Sequence, residues 1–456
     1  MDVDINAASS RGTPTPSRFA RQASGAQDRE SEEEPRMAPP WSEEVLQESG
    51  ADWWAEVMSE GNVEDDYDLG RVIGRGAYST VLEGVCRRTK ERFAVKTVKL
   101  KPRKKHIGNA AKTERDLRKQ RRKVLSEVYL TGTSNQPNII KLQAFYMKET
   151  EIVMVLELMR GGSIFDGVLE HGGMGEDDAR TVMRQLLGAL AHFHSRNILH
   201  RDIKPENMLL KWPGDLGSLR IADLGFAIQL AGGPASRMTM AGTPAYLAPE
   251  LIIAMQDGME LEDALTPAID VWAAGAAMFI ILGGYPPFEG TTTRELFRSI
   301  LDDDLSFDQP CWEDVSEDAR DLIRKLLTKD PEQRITAPQA LEHKWMRPTQ
   351  APPHMRQTST RTRNWGSRLI PLEGNKDPTS AYIRPSYFLK LQEQLRGAAG
   401  KALDASLREI FEENKKRGTR DSTWSRSRLV SEHVGDGGDF TAMTAPTARH
   451  AVPPSI

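Results

Sequence analysis

Cysteine is nearly absent: two in 456 residues, Cys86 and Cys311, 225 positions apart. That excludes a disulfide framework and a cysteine-built zinc cluster, and it fits a reducing compartment such as the cytoplasm. Long apolar runs are missing too. The longest, Val271 to Gly284, covers 14 residues, short of the roughly 20 that span a bilayer. The opening MDVDINAASSRG has no apolar leader, and no internal repeat is visible. Membrane spans and secreted disulfide scaffolds are excluded, and no membrane partner is expected.

Charge is present but unevenly spread. Residues 1–66 hold 16 acids and 5 bases, and residues 347–456 hold 18 bases and 11 acids, leaving 38 of each between them. The first forty residues are rich in Ser, Pro and Arg and then acidic (DRESEEE, Asp28 to Glu34). Such a stretch cannot bury enough surface to offset its ordering entropy, so 1–66 reads as a disordered acidic tail. The basic stretch 347–456 reads likewise, except for a helical pattern near 386–417.

The neutral middle, 67–346, forms one unit. Strand-like runs cover Arg71 to Ile73, Thr80 to Val85, Phe93 to Val98 and Glu151 to Glu157, with a long helical pattern at Thr113 to Leu130. Helical periodicity dominates after Asp177, at Ala179 to Phe193, Ala268 to Leu282, Thr292 to Ile300 and Glu317 to Leu327. A strand-rich part followed by a helix-rich part is an α+β arrangement.

Gly74-Arg75-Gly76-Ala77-Tyr78-Ser79-Thr80-Val81 lies between two strand-like runs. Glycines there let backbone approach phosphate oxygens; a plain tight hairpin is the bland reading. Ala94-Val95-Lys96 places a lysine at the end of an apolar strand, where most lysines are merely solvated. The meaning of both depends on what comes next. His200-Arg201-Asp202-Ile203-Lys204-Pro205-Glu206-Asn207 is followed, 16 residues after Asn207, by Asp223-Leu224-Gly225, and then by Gly242 to Glu250 (GTPAYLAPE).

With these motifs the chain resembles the eukaryotic protein kinases over roughly 67–346. The resemblance implies a bilobal α+β fold, with a small β-rich lobe at 67–157 and a helical lobe at 158–346. It implies ATP and Mg2+ as cofactors and transfer of the γ-phosphate to protein Ser and Thr hydroxyls. Phosphoryl transfer asks for positioning and electrostatics. Lys96 would hold phosphates, Asn207 and Asp223 the metal, and Asp202 the attacking hydroxyl, while Lys204 would meet the transferred phosphate. Glu127, ten residues before Pro137, would pair with Lys96; a solvated glutamate is the alternative. Gly74, Gly76, Ser79, Val81, Ala94, Leu156, Glu157 and Met159 would enclose the nucleotide. Thr239 and Thr243 would belong to the activation loop, with Arg201 as a cation beside it. Asp270 would brace the catalytic loop, and Glu250 with Arg334 would form a buried ion pair.

Finer details resemble the calcium/calmodulin-dependent kinase group: Ser79 at the third glycine position, Gly283 to Phe288 (GGYPPF) and Glu342 to Met346 (EHKWM). Leu224 replaces the usual Phe, and Thr131 stands where an apolar residue is usual, which puts the register of Glu127 in question. Ser163 and Ile280 stand where acids can read basic substrates. Glu206 remains, so a modest preference for basic context is expected. No EF-hand loop is present in the sequence.

The competing reading is a pseudokinase-like scaffold that binds partners without catalysis; retention of Lys96, Asp202, Asn207 and Asp223 speaks against it. Residues 99–123 hold 12 Lys or Arg against Glu114 and Asp116. They lack interleaved aromatics, so nucleic acid is not the expected partner, although Lys101 to Lys105 (KPRKK) suits nuclear import. Residues 386–417 carry seven bases, five acids and two glycines, too weakly basic for calmodulin to be the favoured partner.

Overall fold

The structure, a computed structural model, describes residues 57–59, 61–76, 79–101, 109–230, 242–257 and 261–347. The tail helix expected near 386–417, Tyr78 and Thr239 lie outside these.

Six strands form the small lobe's sheet: β1 (Met58–Ser59), β2 (Tyr67–Arg75), β3 (Ser79–Cys86), β4 (Arg92–Lys99), β5 (Leu142–Met147) and β6 (Glu151–Glu157). Their order is β1-β5-β6-β4-β3-β2, antiparallel except for the parallel pair β1–β5. In β6, Ile152 to Leu156 are all buried, so this central strand reads as a continuous apolar run instead of alternating. The lobe starts earlier than the expected boundary at 67. β1 and a short helix α1 (Val63–Asp66) belong to it, and Asp66 Oδ2 accepts from the buried Tyr146 hydroxyl at 2.7 Å. The acidic composition that suggested a tail hid this link, because one buried Val63 and one carboxylate suffice to anchor the segment.

Helix α2 (Ala110–Thr133) is capped by Asn109, whose Oδ1 accepts the Lys112 N–H at 3.0 Å. Its C-terminal half buries Val124, Leu125, Val128 and Thr131, the three-and-four spacing of a helix laid on a sheet.

The large lobe adds α3 (Ile164–His171), α4 (Glu176–Ser195), α5 (Pro249–Asp257), α6 (Leu261–Ala264), α7 (Ala268–Gly283), α8 (Thr293–Asp302), α9 (Glu317–Leu326) and α10 (Ala337–Glu342). Between Glu250 and Asp270 the described residues include α5 and α6. Every residue of α7 from Ile269 to Gly283 is buried. A helix apolar all round belongs in a core, and this one packs against α4 and α9.

Two small antiparallel ladders hold the loops that matter. β7 (Ile198–Leu199) pairs with β10 (Ile228–Gln229), and β8 (Met208–Leu210) with β9 (Leu219–Ile221). The segment 200–207 runs from β7 to β8, and Asp223 sits between β9 and β10. The Ala222 N–H donates to Asn207 O at 2.9 Å, which fixes the two loops side by side.

Candidate active site

Three elements meet at one ammonium. Lys96 on β4 places Nζ 2.6 Å from Glu127 Oε1 on α2 and 3.2 Å from Asp223 Oδ1. Burial alone would lower the Lys96 pKa; the two carboxylates outweigh it and raise it. Burial pushes the Asp223 carboxyl up, and Lys96 pulls it below the ordinary range. A Cβ at Gly225 would lie 3.1 Å from Asp223 Oδ1 and 3.2 Å from Glu127 Oε2, which is why the smallest residue follows there. Thr131 resolves its apparent misfit by turning its hydroxyl onto Glu127 O, 2.7 Å away on its own helix.

A second group of polar side chains surrounds Asp202. Lys204 Nζ donates to Asp202 Oδ2 at 2.6 Å and to Thr243 Oγ1 at 2.9 Å, and Thr243 Oγ1 donates to Asp202 Oδ1 at 3.1 Å. Asn207 Nδ2 donates to Asp202 O at 2.8 Å and to Asp202 Oδ2 at 3.0 Å. Donation through Nδ2 makes the amide oxygen the free acceptor end, and an amide oxygen beside a carboxylate is the donor set a hard cation takes.

Asp270, buried on α7, accepts the backbone N–H groups of His200 at 2.9 Å and Arg201 at 2.8 Å, and lies 3.1 Å from His194 Nε2. These bonds hold Arg201 at φ +65°; Asp223 stands at φ +63°. Left-handed backbone at residues other than glycine costs about 1–3 kcal/mol and persists only where the surroundings over-determine it. Arg201 Nε donates to Phe226 O at 2.7 Å, and burial lowers the Arg201 pKa to about 10 despite Asp270.

The β2–β3 hairpin closes with the Gly76 N–H donating to Ser79 O at 2.9 Å, and a Cβ on Gly76 would meet Ser79 Oγ at 2.8 Å. Gly74 pairs with Val81, Val81 with Lys96, and Ala94 with Leu156, so these residues share one corner of the sheet. Glu157, at the end of β6, spends its carboxylate on structure. It accepts the Lys141 N–H at 3.0 Å, Arg220 Nε at 3.1 Å and Lys211 Nζ at 3.0 Å. The backbone on to Met159 links the lobes. Leu224 is buried, and the Leu224–Phe226 turn packs against α2.

Farther off, Arg334 forks onto Glu250 with bonds of 2.8 and 2.9 Å, while its guanidinium lies 5.1 Å from the Trp272 ring centroid. Lys123 is the last residue of the basic run 99–123. It lies 4.4 Å from the Phe226 ring centroid, with its pKa lowered by burial and by the neighbouring Arg201 charge. Its position four before Glu127 puts it on the same helix face, and that was a usable signal.

Residues 67–346 match the family model described as protein kinase domain. The chain is 35% identical over 285 residues to calcium/calmodulin-dependent protein kinase type 1B of Rattus norvegicus, covering 62% of this chain and 76% of that one. It is 34% identical over 285 residues to myosin light chain kinase A of Dictyostelium discoideum, covering 62% and 89%. Among solved structures, the twitchin kinase region from C. elegans superposes with a TM-score of 0.54 at 30% identity, covering 65% of this chain and 49% of that one. Members of this family use ATP and typically a divalent metal, and nothing favours the scaffold alternative. The chain belongs to the protein kinase family and is a serine/threonine kinase of the calcium/calmodulin-dependent group.

Proposed function

We propose that this chain transfers the γ-phosphate of magnesium-ATP to protein Ser and Thr hydroxyls in mildly basic context, under activation-loop control. The observation that carries this reading is the convergence of Lys96, Glu127 and Asp223 beside the Asp202–Lys204–Asn207–Thr243 group. The oxygens of Asp223 and Asn207 suit magnesium, which when bound would neutralise phosphate charge.

Each residue then has a task. Lys96 holds phosphate oxygens, and Glu127 keeps that ammonium in place. Backbone groups from Glu157 to Met159 hold the adenine, with Val81, Ala94 and Leu156 as walls. The Gly74–Gly76 hairpin and Ser79 cover the phosphates. Asp202 accepts the proton of the incoming hydroxyl, and Lys204 meets the group in transfer. Thr243, bonded to both, positions them. Glu206 faces the peptide side, its carboxyl pushed up by burial and met at 3.5 Å by the Tyr246 hydroxyl. A single acid on that side supports only a modest preference for basic residues.

The test is phosphorylation of a Ser/Thr peptide library by the full chain with magnesium-ATP. Incorporation enriched in peptides with Arg or Lys before the acceptor is expected, and Glu206→Gln should flatten that enrichment. Wild-type turnover in Asp223→Asn would overturn the metal assignment. Enrichment for acidic peptides would overturn the substrate class.

A further inference from the structure

Helix α2 carries more cations than the fold employs. Some of its polar side chains are committed to the lobe. Gln120 exchanges two hydrogen bonds with the Lys101 backbone, at 3.1 and 2.7 Å. Arg121 donates to Glu149 O at 2.8 Å, and Arg118 pairs with Glu114 at 2.9 Å. Lys112, Arg115, Lys119 and Arg122 are exposed, and among the described residues no acid pairs with them. They follow one another at steps of three, four and three, so they form a single stripe about 15 Å long. Lys112 stands in the first turn of the helix, where the backbone dipole disfavours cations, and that turn holds no acid to compensate. A negatively charged strand of protein laid along this face would relieve both the mutual repulsion and the dipole clash.

We propose that this stripe docks the acidic stretch 43–56 of the same chain. That stretch lies outside the described residues. Its sequence holds Glu43, Glu44, Glu48, Asp52 and Glu56 with no Lys, Arg or His. Four of these acids recur every four residues, which matches the spacing of the cations. The described structure resumes at Val57, which packs on the same hydrophobic core as α2 and precedes β1. β1 in turn pairs with β5, the strand α2 packs against. Fourteen residues extend to about 45 Å, enough to reach every cation of the stripe. Tethering raises the effective concentration toward the millimolar range, which an unattached acidic protein must overcome. Nucleic acid fits the face less well, because 109–123 contains no aromatic side chain on which a base could stack.

The docking surface is tied to the site through α2 itself. Arg122 is adjacent to Lys123 and lies five residues before Glu127, on one rigid helix. The proposal stands on charge and placement and does not depend on the roles assigned to the site residues.

Zero-length carbodiimide cross-linking of the full-length chain, with mass spectrometry of the monomer band, tests it. Links from the acids of 43–56 to Lys112 and Lys119 within one chain are expected. Arg115→Glu with Arg122→Glu leaves both lysines in place and should lower those links about fivefold, as should raising the salt to about 1 M on the unaltered chain. Adding Glu44→Arg and Asp52→Arg to the first pair should restore links from Glu48 and Glu56. Links to lysines elsewhere, links confined to dimers, or yields that ignore both salt and charge reversal would overturn the proposal.

Discussion

Lys96 Nζ lies 2.6 Å from Glu127 Oε1, although the two residues are 31 positions apart on different elements. The pair holds a sheet and a helix in the one arrangement that leaves the ammonium beside Asp223. Glu127→Gln keeps the shape and removes the charge, so the lysine is placed less firmly. We expect kcat/KM for ATP to fall on the order of 100-fold, within the range for losing one preorganised electrostatic contact. Lys96→Met should fall further. Steady-state kinetics on full-length protein, with circular dichroism to confirm folding, checks both; a Glu127→Gln enzyme within threefold of wild type would contradict this.

The Arg334–Glu250 fork is shut away from water, with side chains 0% and 10% exposed. Removing one partner leaves a buried charge unmatched, at a cost of about 3–5 kcal/mol. Glu250→Ala should therefore unfold at much lower urea than wild type. Arg334→Lys should recover little, because an ammonium cannot fork onto two oxygens while stacking on Trp272.

Acid stability follows from the lowered pKa of Asp223. A carboxyl depressed in the folded state contributes stability that is complete above its unfolded pKa, about 3.9. The contribution is lost as pH falls through the folded value, so wild type should hold it down to that range. In Lys96→Met the largest opposing cation is gone and only the weaker pulls of His200 and Lys204 remain against burial, so the Asp223 pKa rises relative to wild type. The acid limb of Tm against pH should then shift to higher pH. Coincident limbs for the two proteins would show that Lys96 does not control this group.

Arg201 and Lys123 are two cations crowded near Phe226, both with pKa values lowered by burial. A phosphate brings about −1.5 to −2 charges, and Thr239 lies four residues before Thr243. Phosphorylation at Thr239 should raise kcat, and Thr239→Ala should abolish the increase. Lys123→Met should shrink the ratio of phosphorylated to unphosphorylated rates, as measured after treatment with an activating kinase.

Much of the site was legible because its residues lie close together in sequence. Asp202, Lys204 and Asn207 occupy one short loop, and Asp223 follows a three-residue strand. Chemistry that needs a carboxylate, an ammonium and an amide within a few ångströms is most simply met by neighbours, so the motif survives as a string. β5 escaped notice because six residues with half-alternating burial carry a weak signal. β1 escaped because two residues carry none.

The sequence by itself determined the α+β class and the absence of a long apolar span, which composition and local periodicity carry, and its contiguous motifs carried the kinase resemblance that implied the reacting groups. The tertiary structure decided the rest. It brought Glu127 to Lys96 despite Thr131, set Lys123 beside Arg201, joined Asp66 to Tyr146 and turned the longest apolar run into the buried helix α7. Each of these rests on which surfaces are removed from water together. That depends on strand order and helix packing across long separations, which no local window of residues contains.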